Sequence, residues 1–267
     1  MEQLCREIGL AREAADAVCR LHADPDFCPH TEKLCRPETW QEGLAELKQA
    51  LGEDPRGYRM LCSQLRCALE ARRTYERLGL SREIYVETMK AFSRFVGEHI
   101  ESYGFCAFDR GFWTVRQISC RLFRIGQLEY ELTEQDGVPV IGLHIPSDAD
   151  LTLPGLRQSY LQAREILNRT FPAWAGAPVC CESWLLSQDL PGLLPESSRI
   201  LAFQRSFSIT PQEQESVDVL QWVFQNPDLA PEELPQKTSL QRSLRAFLLA
   251  GGTFHNGEGV LMDEPFV

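Results

Sequence analysis

The sequence predicts an α+β chain: an all-helical N-terminal half, then a mixed β-sheet domain with flanking helices. Three observations carry this expectation. Residues 1–104 repeat apolar positions at three- and four-residue steps and hold no β pattern. After Gly104 a period of two appears, clearest where Leu128, Tyr130 and Leu132 alternate with Gln127, Glu129 and Glu131. Residues 138–171 then place a run of β-type residues, a polar link and a long helical pattern in direct succession.

In order, Leu4, Ile8, Ala11 and Ala15 mark the first helices, continued by Ala17, Val18 and Leu21, before a break at HADPDFCPH with its two prolines. A helix is expected from 36–38 to about Leu51, with Pro37 near its first turn, and another from Asp54-Pro55 to a stop at Gly79. Ser81 is the expected cap of a last helix reaching Tyr103-Gly104, which sets the domain boundary at 104. Residues 105–116 read as a short aromatic helix. Strands follow at RLFRI and QLEYELT, with a hairpin at Asp136-Gly137, a pair that tolerates positive φ. Beyond the central unit come expected strands at VCCESWLL and RILAFQRSFSI. A broken turn at QDLPGLLPESS separates them. Helices at ESVDVLQWVF and 239–250 and a short strand near 260–262 complete the chain.

Composition bounds the function. Hydrophobic residues make up 43% of the 267, enough for a core, and the net charge is −11. Phosphate-backbone or anionic-membrane binding needs a basic stripe, and the densest basic cluster, Arg72, Arg73 and Arg77, is diluted by Glu70 and Glu76. No nucleic-acid or membrane partner is expected. The N-terminus lacks the apolar core of a secretion signal, and no stretch is apolar enough to span a bilayer. Ten cysteines scattered through helical and strand patterns fit reduced thiols and a cytoplasmic protein better than a disulfide framework. Among them Cys19, Cys28 and Cys35, with His22 and His30, include zinc-ligand residue types but lack a C-x2-C pair, so no metal is expected.

In the central stretch the β run ends at Pro146, SDADLT forms the link, and Leu156, Tyr160, Ala163, Ile166 and Leu167 mark one helix face. Thr152 is the expected N-cap, with Pro154 in the first turn. Such a unit presents a helix N-terminus to an anionic group.

The strings FDRGFWTVRQISCRLFRIGQLEYEL, GLHIPSDADLT, SWLLSQDLPGLLPESSRILAFQ and LPQKTSLQRSLRAFLLAGG resemble a bacterial acyltransferase family that joins a helical N-terminal domain to a GNAT-like (N-acetyltransferase-like) domain. The resemblance spans most of 105–252. It implies a GNAT-like sheet domain over 105–267, acyl-CoA or acetyl-CoA bound where two central strands part, and acyl transfer to a small-molecule or peptide amine. It also makes Ser147, Asp148, Ala149, Leu151, Thr152, Leu153 and Arg157 the cofactor-facing residues. The sequence departs from that superfamily twice. The link holds one glycine, Gly155, instead of a Gly-rich loop, and no tyrosine follows Tyr160 to protonate a leaving thiolate. Those departures also fit a non-catalytic binding or regulatory protein on the same fold.

Direct acyl transfer needs an oxyanion donor, a base for the amine and an acid for the thiolate. His144, near the end of the central strand, is the most economical base, or else a structural histidine bonded to the SDAD turn. Glu182 is the second base, expected to be desolvated between Cys180 and Trp184, or else paired in an ion bridge. Cys181 and Ser183, on the opposite strand face, are candidates for acid or nucleophile, with a buried structural thiol as the plain alternative. Arg157 and Arg164 share a helix side and either meet phosphates or are solvated. Phe105, Phe108, Phe112 and Trp113 either line an acyl pocket or pack a core.

Overall fold

The protein is described here by a computed structural model covering residues 1–29 and 31–266, with the backbone alone at 211 and 213. The chain forms two compact units, Met1–Ile125 and Gly126–Val267.

The first unit is built on α4 (Tyr58–Arg77) and α5 (Arg82–Tyr103), preceded by α1 (Glu2–Glu7), α2 (Arg12–Ala23) and α3 (Trp40–Leu51). Leu61, Leu65, Ala68, Met89, Phe92 and Val96 supply its buried seam. Ser81 caps α5 as expected, its Oγ accepting from the Ile84 amide at 3.2 Å, and Gly104 closes the helix at φ 75°. Asp54 lies outside α4, yet its carboxylate accepts from the Met60 and Arg59 amides. Pro37 lies in the turn just before its helix instead of opening it, since α3 begins at Trp40.

The unit continues past 104 through α6 (Gly111–Ile118) and β1 (Leu122–Ile125). Hydrogen bonds tie this stretch to the helices: Phe108 N to Arg56 O at 3.0 Å, Gln64 Nε2 to Gly111 O at 2.8 Å and Arg124 N to Thr88 Oγ1 at 2.9 Å. The change of texture at 104 is therefore a change of element, while the compact units divide at 125.

In the second unit β2 (Leu128–Gln135), β3 (Val138–His144), β4 (Val179–Ser183), β5 (Phe207–Glu215) and β6 (His255–Leu261) lie in the order β2-β3-β4-β6-β5. The sheet is mixed, with β3 and β4 parallel and the other pairs antiparallel. The hairpin between β2 and β3 turns at Asp136 and Gly137, both at positive φ, as expected. Helix α7 (Leu153–Thr170) buries Leu156, Ser159, Ala163, Ile166 and Leu167. Its Ser159 hydroxyl meets the Tyr130 hydroxyl at 3.2 Å and accepts from the Leu128 amide, which fixes the helix to the Leu128–Tyr130 face of β2.

Three tail expectations are corrected. RILAFQRSFSI is α8 (Arg199–Gln204) followed by β5, because Ser198 caps the helix with its hydroxyl at 3.2 Å from the Ile200 amide. A short apolar run does not distinguish a buried strand from a buried helix turn. ESVDVLQWVF is no α-helix: Glu215 ends β5 and only Val219–Val223 forms a short π turn. The final strand is longer than expected and begins at His255, its pattern concealed by Gly257 and Gly259. Those glycines are steric, since a Cβ at 257 would lie 2.2 Å from the Leu186 carbonyl oxygen. That oxygen belongs to a 3-10 turn, Trp184–Leu186, which ends β4 earlier than expected. Helix α9 (Ser239–Leu249) forms where expected, with a Thr238–Gln241 capping box.

Candidate active site

The site is generated by a separation of strands. β3 and β4 pair only through Ile141 with Val179 and Gly142 with Cys180. Beyond those residues β4 continues against β6, through Cys181–Gly259, Glu182–Glu258 and Ser183–Gly257, while β3 runs on along β2 to His144. A ladder that stops while both strands continue leaves main-chain amides and carbonyls along a wedge.

Register places the side chains. Glu131 stands opposite Gly142 and Glu129 opposite His144, so His144, Glu129 and Glu131 share one sheet face. Cys180 and Glu182 lie on that face across the wedge. His144 Nε2 lies 2.9 Å from Glu131 Oε2, with the histidine side chain 24% exposed and the carboxylate 12%. Glu129 is buried too, at 2%. The two expected bases thus flank the parting strands on one face. Their settings differ: His144 is partly enclosed and held by a carboxylate, whereas Glu182 is exposed opposite Glu258. The expected desolvation of Glu182 does not occur, because Trp184 has left the strand for the 3-10 turn.

Cys181 lies on the opposite face, fully buried, and burial followed by the Glu182 charge pushes its thiol well above the usual range. A thiol so held stays protonated and is a poor nucleophile. Ser183 accepts from the Leu185 amide at 3.1 Å, holding the turn after β4.

The link from β3 to α7 is built by Asp150. Its carboxylate accepts from the Thr152 amide at 3.2 Å and the Thr152 hydroxyl at 3.0 Å, and pairs with Arg199 Nη1 at 2.9 Å. Thr152 holds the N-cap position but makes no side-chain cap bond, its hydroxyl being turned toward Asp150. Pro154 has no amide to satisfy, and no side chain caps the first-turn N–H groups at the positive end of this 18-residue helix. Asp148 and Ser147 are exposed, Ala149, Leu151 and Leu153 half-buried, and Ala149 N donates to Pro146 O at 3.0 Å. Arg157 is exposed, and Arg164 lies over the Tyr160 ring at 5.8 Å. The link thus sets a helix start without a side-chain cap beside an Asp150–Arg199 pair.

Arg199 and Glu131, which contact Asp150 and the candidate base His144, did not stand out in the sequence. Arg199 sits in what reads as a strand, and Glu131 is one of several alternating glutamates. Elsewhere Phe108 packs on Phe92 at 5.8 Å in the helical core, Phe105 and Phe112 are exposed, and Trp113 faces the Arg116 guanidinium at 4.5 Å. Among the described residues no group of three or more His, Cys, Asp or Glu could hold a metal ion. His22 is engaged by Arg66 Nε at 3.3 Å, and His30 lies outside the described residues.

A parting parallel pair, a helix opening beside it and a histidine on its rim define the class as a GNAT-like acyltransferase domain. Comparison bears on the whole chain. Residues 1–120 match the N-acyltransferase N-terminal domain, and residues 122–261 match the GNAT-like C-terminal domain. The chain belongs to the family of two-domain N-acyltransferases that these models describe. Among solved structures it is similar to an acyltransferase point mutant in complex with octanoyl-CoA. That match has 25% identity and a TM-score of 0.80, and covers 97% of this chain and 86% of the other. It is also similar to an acyltransferase in complex with decanoyl-CoA and teicoplanin, at 25% identity and TM-score 0.71, covering 97% and 98%. No curated protein sequence matches.

Proposed function

We propose that this protein transfers an acyl group from acyl-CoA to the primary amine of a small molecule or peptide. The observation that carries the reading is the wedge between β3 and β4, with His144 at its rim and the uncapped start of α7 beside it. Residues 147–153 and Arg199 hold the phosphates of acyl-CoA, and Arg157 lies one turn further along the helix. In the transfer His144 takes the proton of the attacking amine, the nitrogen–carbon bond forms, the carbon–sulfur bond breaks, and the thiolate leaves to be protonated to CoA-SH. Glu182 is the alternative base across the wedge. Cys181 and Ser183 support β4 and the turn after it and take no part in the bond changes.

The relatives crystallised with octanoyl- and decanoyl-CoA make medium-chain acyl-CoA the first donor to try, ahead of acetyl-CoA. Teicoplanin, in complex with one of them, is the first acceptor to try. No helix among the described residues is long and apolar enough to cross a membrane, and with ten free thiols the reading places the protein in a reducing cytoplasm. Calorimetric titration with octanoyl-CoA tests the donor, and micromolar binding is expected. Absence of binding by octanoyl-, decanoyl- and acetyl-CoA alike would remove the proposal. The missing Gly-rich loop and tyrosine keep a second reading, a binding protein without turnover. Tight octanoyl-CoA binding with no release of CoA from it in the presence of any amine would favour it.

A further inference from the structure

We infer that Cys35 and Cys67 form an oxidisable dithiol, a modification site at which hydrogen peroxide closes a disulfide between a 3-10 turn and α4. Cys35 ends the turn Glu32–Cys35, and Cys67 lies in the middle of α4. Both sulfurs lie 3.6 Å from one acceptor, the Thr31 carbonyl oxygen, and two thiols sharing a single oxygen are held within reach of each other. The Cys35 thiol is also the largest of the influences that raise the Cys67 thiol, ahead of burial. Helix α3 fixes the turn in place. A Cβ at Gly43 would lie 2.7 Å from the Lys33 Cβ and 2.8 Å from the Leu34 amide nitrogen, so turn and helix meet backbone to backbone. Thr39 Oγ1 donates to Lys33 O at 2.9 Å, and Lys33 Nζ pairs with Glu42 and Glu46. A bond from Cys35 to Cys67 would therefore staple α3, through the turn, to α4.

Exposure divides the two roles. Cys35 is half-buried and open to a small oxidant, whereas Cys67 is fully buried. The Cys35 thiol and burial together keep Cys67 protonated, so Cys67 is not the thiol that peroxide meets first. The Glu70 carboxylate, 3.8 Å from Cys35 Sγ, is placed to take the Cys35 proton. The Cys35 sulfur attacks one peroxide oxygen, the O–O bond breaks, the departing oxygen leaves as water, and Cys35 becomes a sulfenic acid. The Cys67 sulfur then attacks the Cys35 sulfur, the S–O bond breaks, and the hydroxyl leaves with the Cys67 proton as a second water. Two thiols are oxidised, one peroxide is reduced to two waters, and no other reactant is needed. In a reducing compartment the pair stays open, and it closes when peroxide accumulates.

Mass spectrometry of the full chain tests this with no acyl donor or acceptor present. The protein is treated with millimolar hydrogen peroxide, freed of oxidant and alkylated in denaturant. A non-reducing digest should then contain the Cys35 peptide joined to the Cys67 peptide, and dithiothreitol should separate them. Alkylation should find two fewer thiols than the ten of the reduced protein. Cys67→Ala should stop at a Cys35 sulfenic acid that dimedone labels, and Cys35→Ser should leave Cys67 a free thiol. The oxidised protein should melt several degrees higher than the reduced one, because a cross-link made without distortion restricts only the unfolded chain. Cys35→Ser should abolish that rise. Cys120 is the competing partner, its thiol raised by burial and then by Cys35. A Cys35–Cys120 bond, two thiols still free, or Cys35 driven to sulfinic acid beside a reduced Cys67 would overturn the inference. So would a lower melting temperature on closure, since the sulfurs would then meet only by deforming the turn.

Discussion

Gly257→Ala examines how β4, one wall of the wedge, is held. An added Cβ would lie 2.2 Å from the Leu186 carbonyl oxygen and 2.6 Å from its carbon, where van der Waals contact needs more than 3 Å. Something must move by about 1 Å, and neither side yields cheaply. β6 is laddered to β4 on one edge and β5 on the other. The Trp184–Leu186 turn is pinned by Gln204, whose Nε2 donates to Leu185 O and Ser187 O, both at 2.8 Å. Overpacking costs about 1–3 kcal/mol, and a clash between two fixed backbones belongs at the upper end. At about 2–4 °C per kcal/mol for a domain of this size, the melting temperature should fall by about 6–12 °C. Gly259→Ala is the control. Its nearest contacts are the Leu186 Cδ1 at 3.0 Å and Phe207 Cβ at 3.1 Å, and the leucine methyl can turn aside, so about 1 kcal/mol or less is expected. Scanning calorimetry of both variants decides the matter. Equal losses, or a wild-type Tm for Gly257→Ala, would refute the steric account.

Cys181→Ala should keep acyl transfer within about twofold of wild type and lose about 1–2 kcal/mol, the cost of a small buried cavity. Iodoacetamide mapped by mass spectrometry should label exposed Cys28 readily and Cys181 only after denaturation; fast native labelling of Cys181 would contradict its burial. Stability should also decline at alkaline pH. Burial pushes the Cys5 and Cys62 thiols up to about 11 from 9.0. The folded state then holds protons that the unfolded state releases, so the stabilisation is complete below pH 9 and is lost as pH rises toward 11. Urea midpoints from pH 7.5 to 10.5 measure this, and a Cys5→Ala/Cys62→Ala double variant should show a flatter decline than wild type.

The parts of the fold set by local rules were legible in the sequence. Ser81 caps α5, Asp136-Gly137 turns the hairpin, and the alternation of Leu128, Tyr130 and Leu132 declares β2, because each depends on near neighbours alone. What escaped depends on tertiary contact. Gly257 and Gly259 look like loop residues until Leu186 is placed against them, and Arg199 looks like part of a strand until Ser198 is seen capping a helix. The site divides the same way. His144 stands out by residue type at the end of a β run. Glu131 is indistinguishable from its neighbours until register sets it beside the imidazole.

If the link before α7 is the phosphate site, as proposed, an aspartate in it need not be a defect. A threonine N-cap ordinarily turns its hydroxyl onto an amide of the first turn, and with Pro154 lacking one, the Gly155 amide is the available target. Asp150 prevents this by engaging both the amide and the hydroxyl of Thr152, while Arg199 neutralises its charge. The amides stay open to a ligand without a Gly-rich loop. Removing the carboxylate should therefore act against simple electrostatics. In Asp150→Ala the Thr152 hydroxyl is released to cap Gly155, and octanoyl-CoA should bind about 3–10-fold more weakly although a negative charge has gone. Asp150→Asn keeps an acceptor for Thr152 and loses only the charge, so its affinity should equal or exceed that of wild type. The Arg199 pair is mostly exposed, so its loss in either variant should cost less than about 1 kcal/mol of stability. Calorimetric titration of both variants reads the difference directly. If alanine and asparagine strengthen binding equally, the charge alone mattered and the competition for Thr152 is wrong.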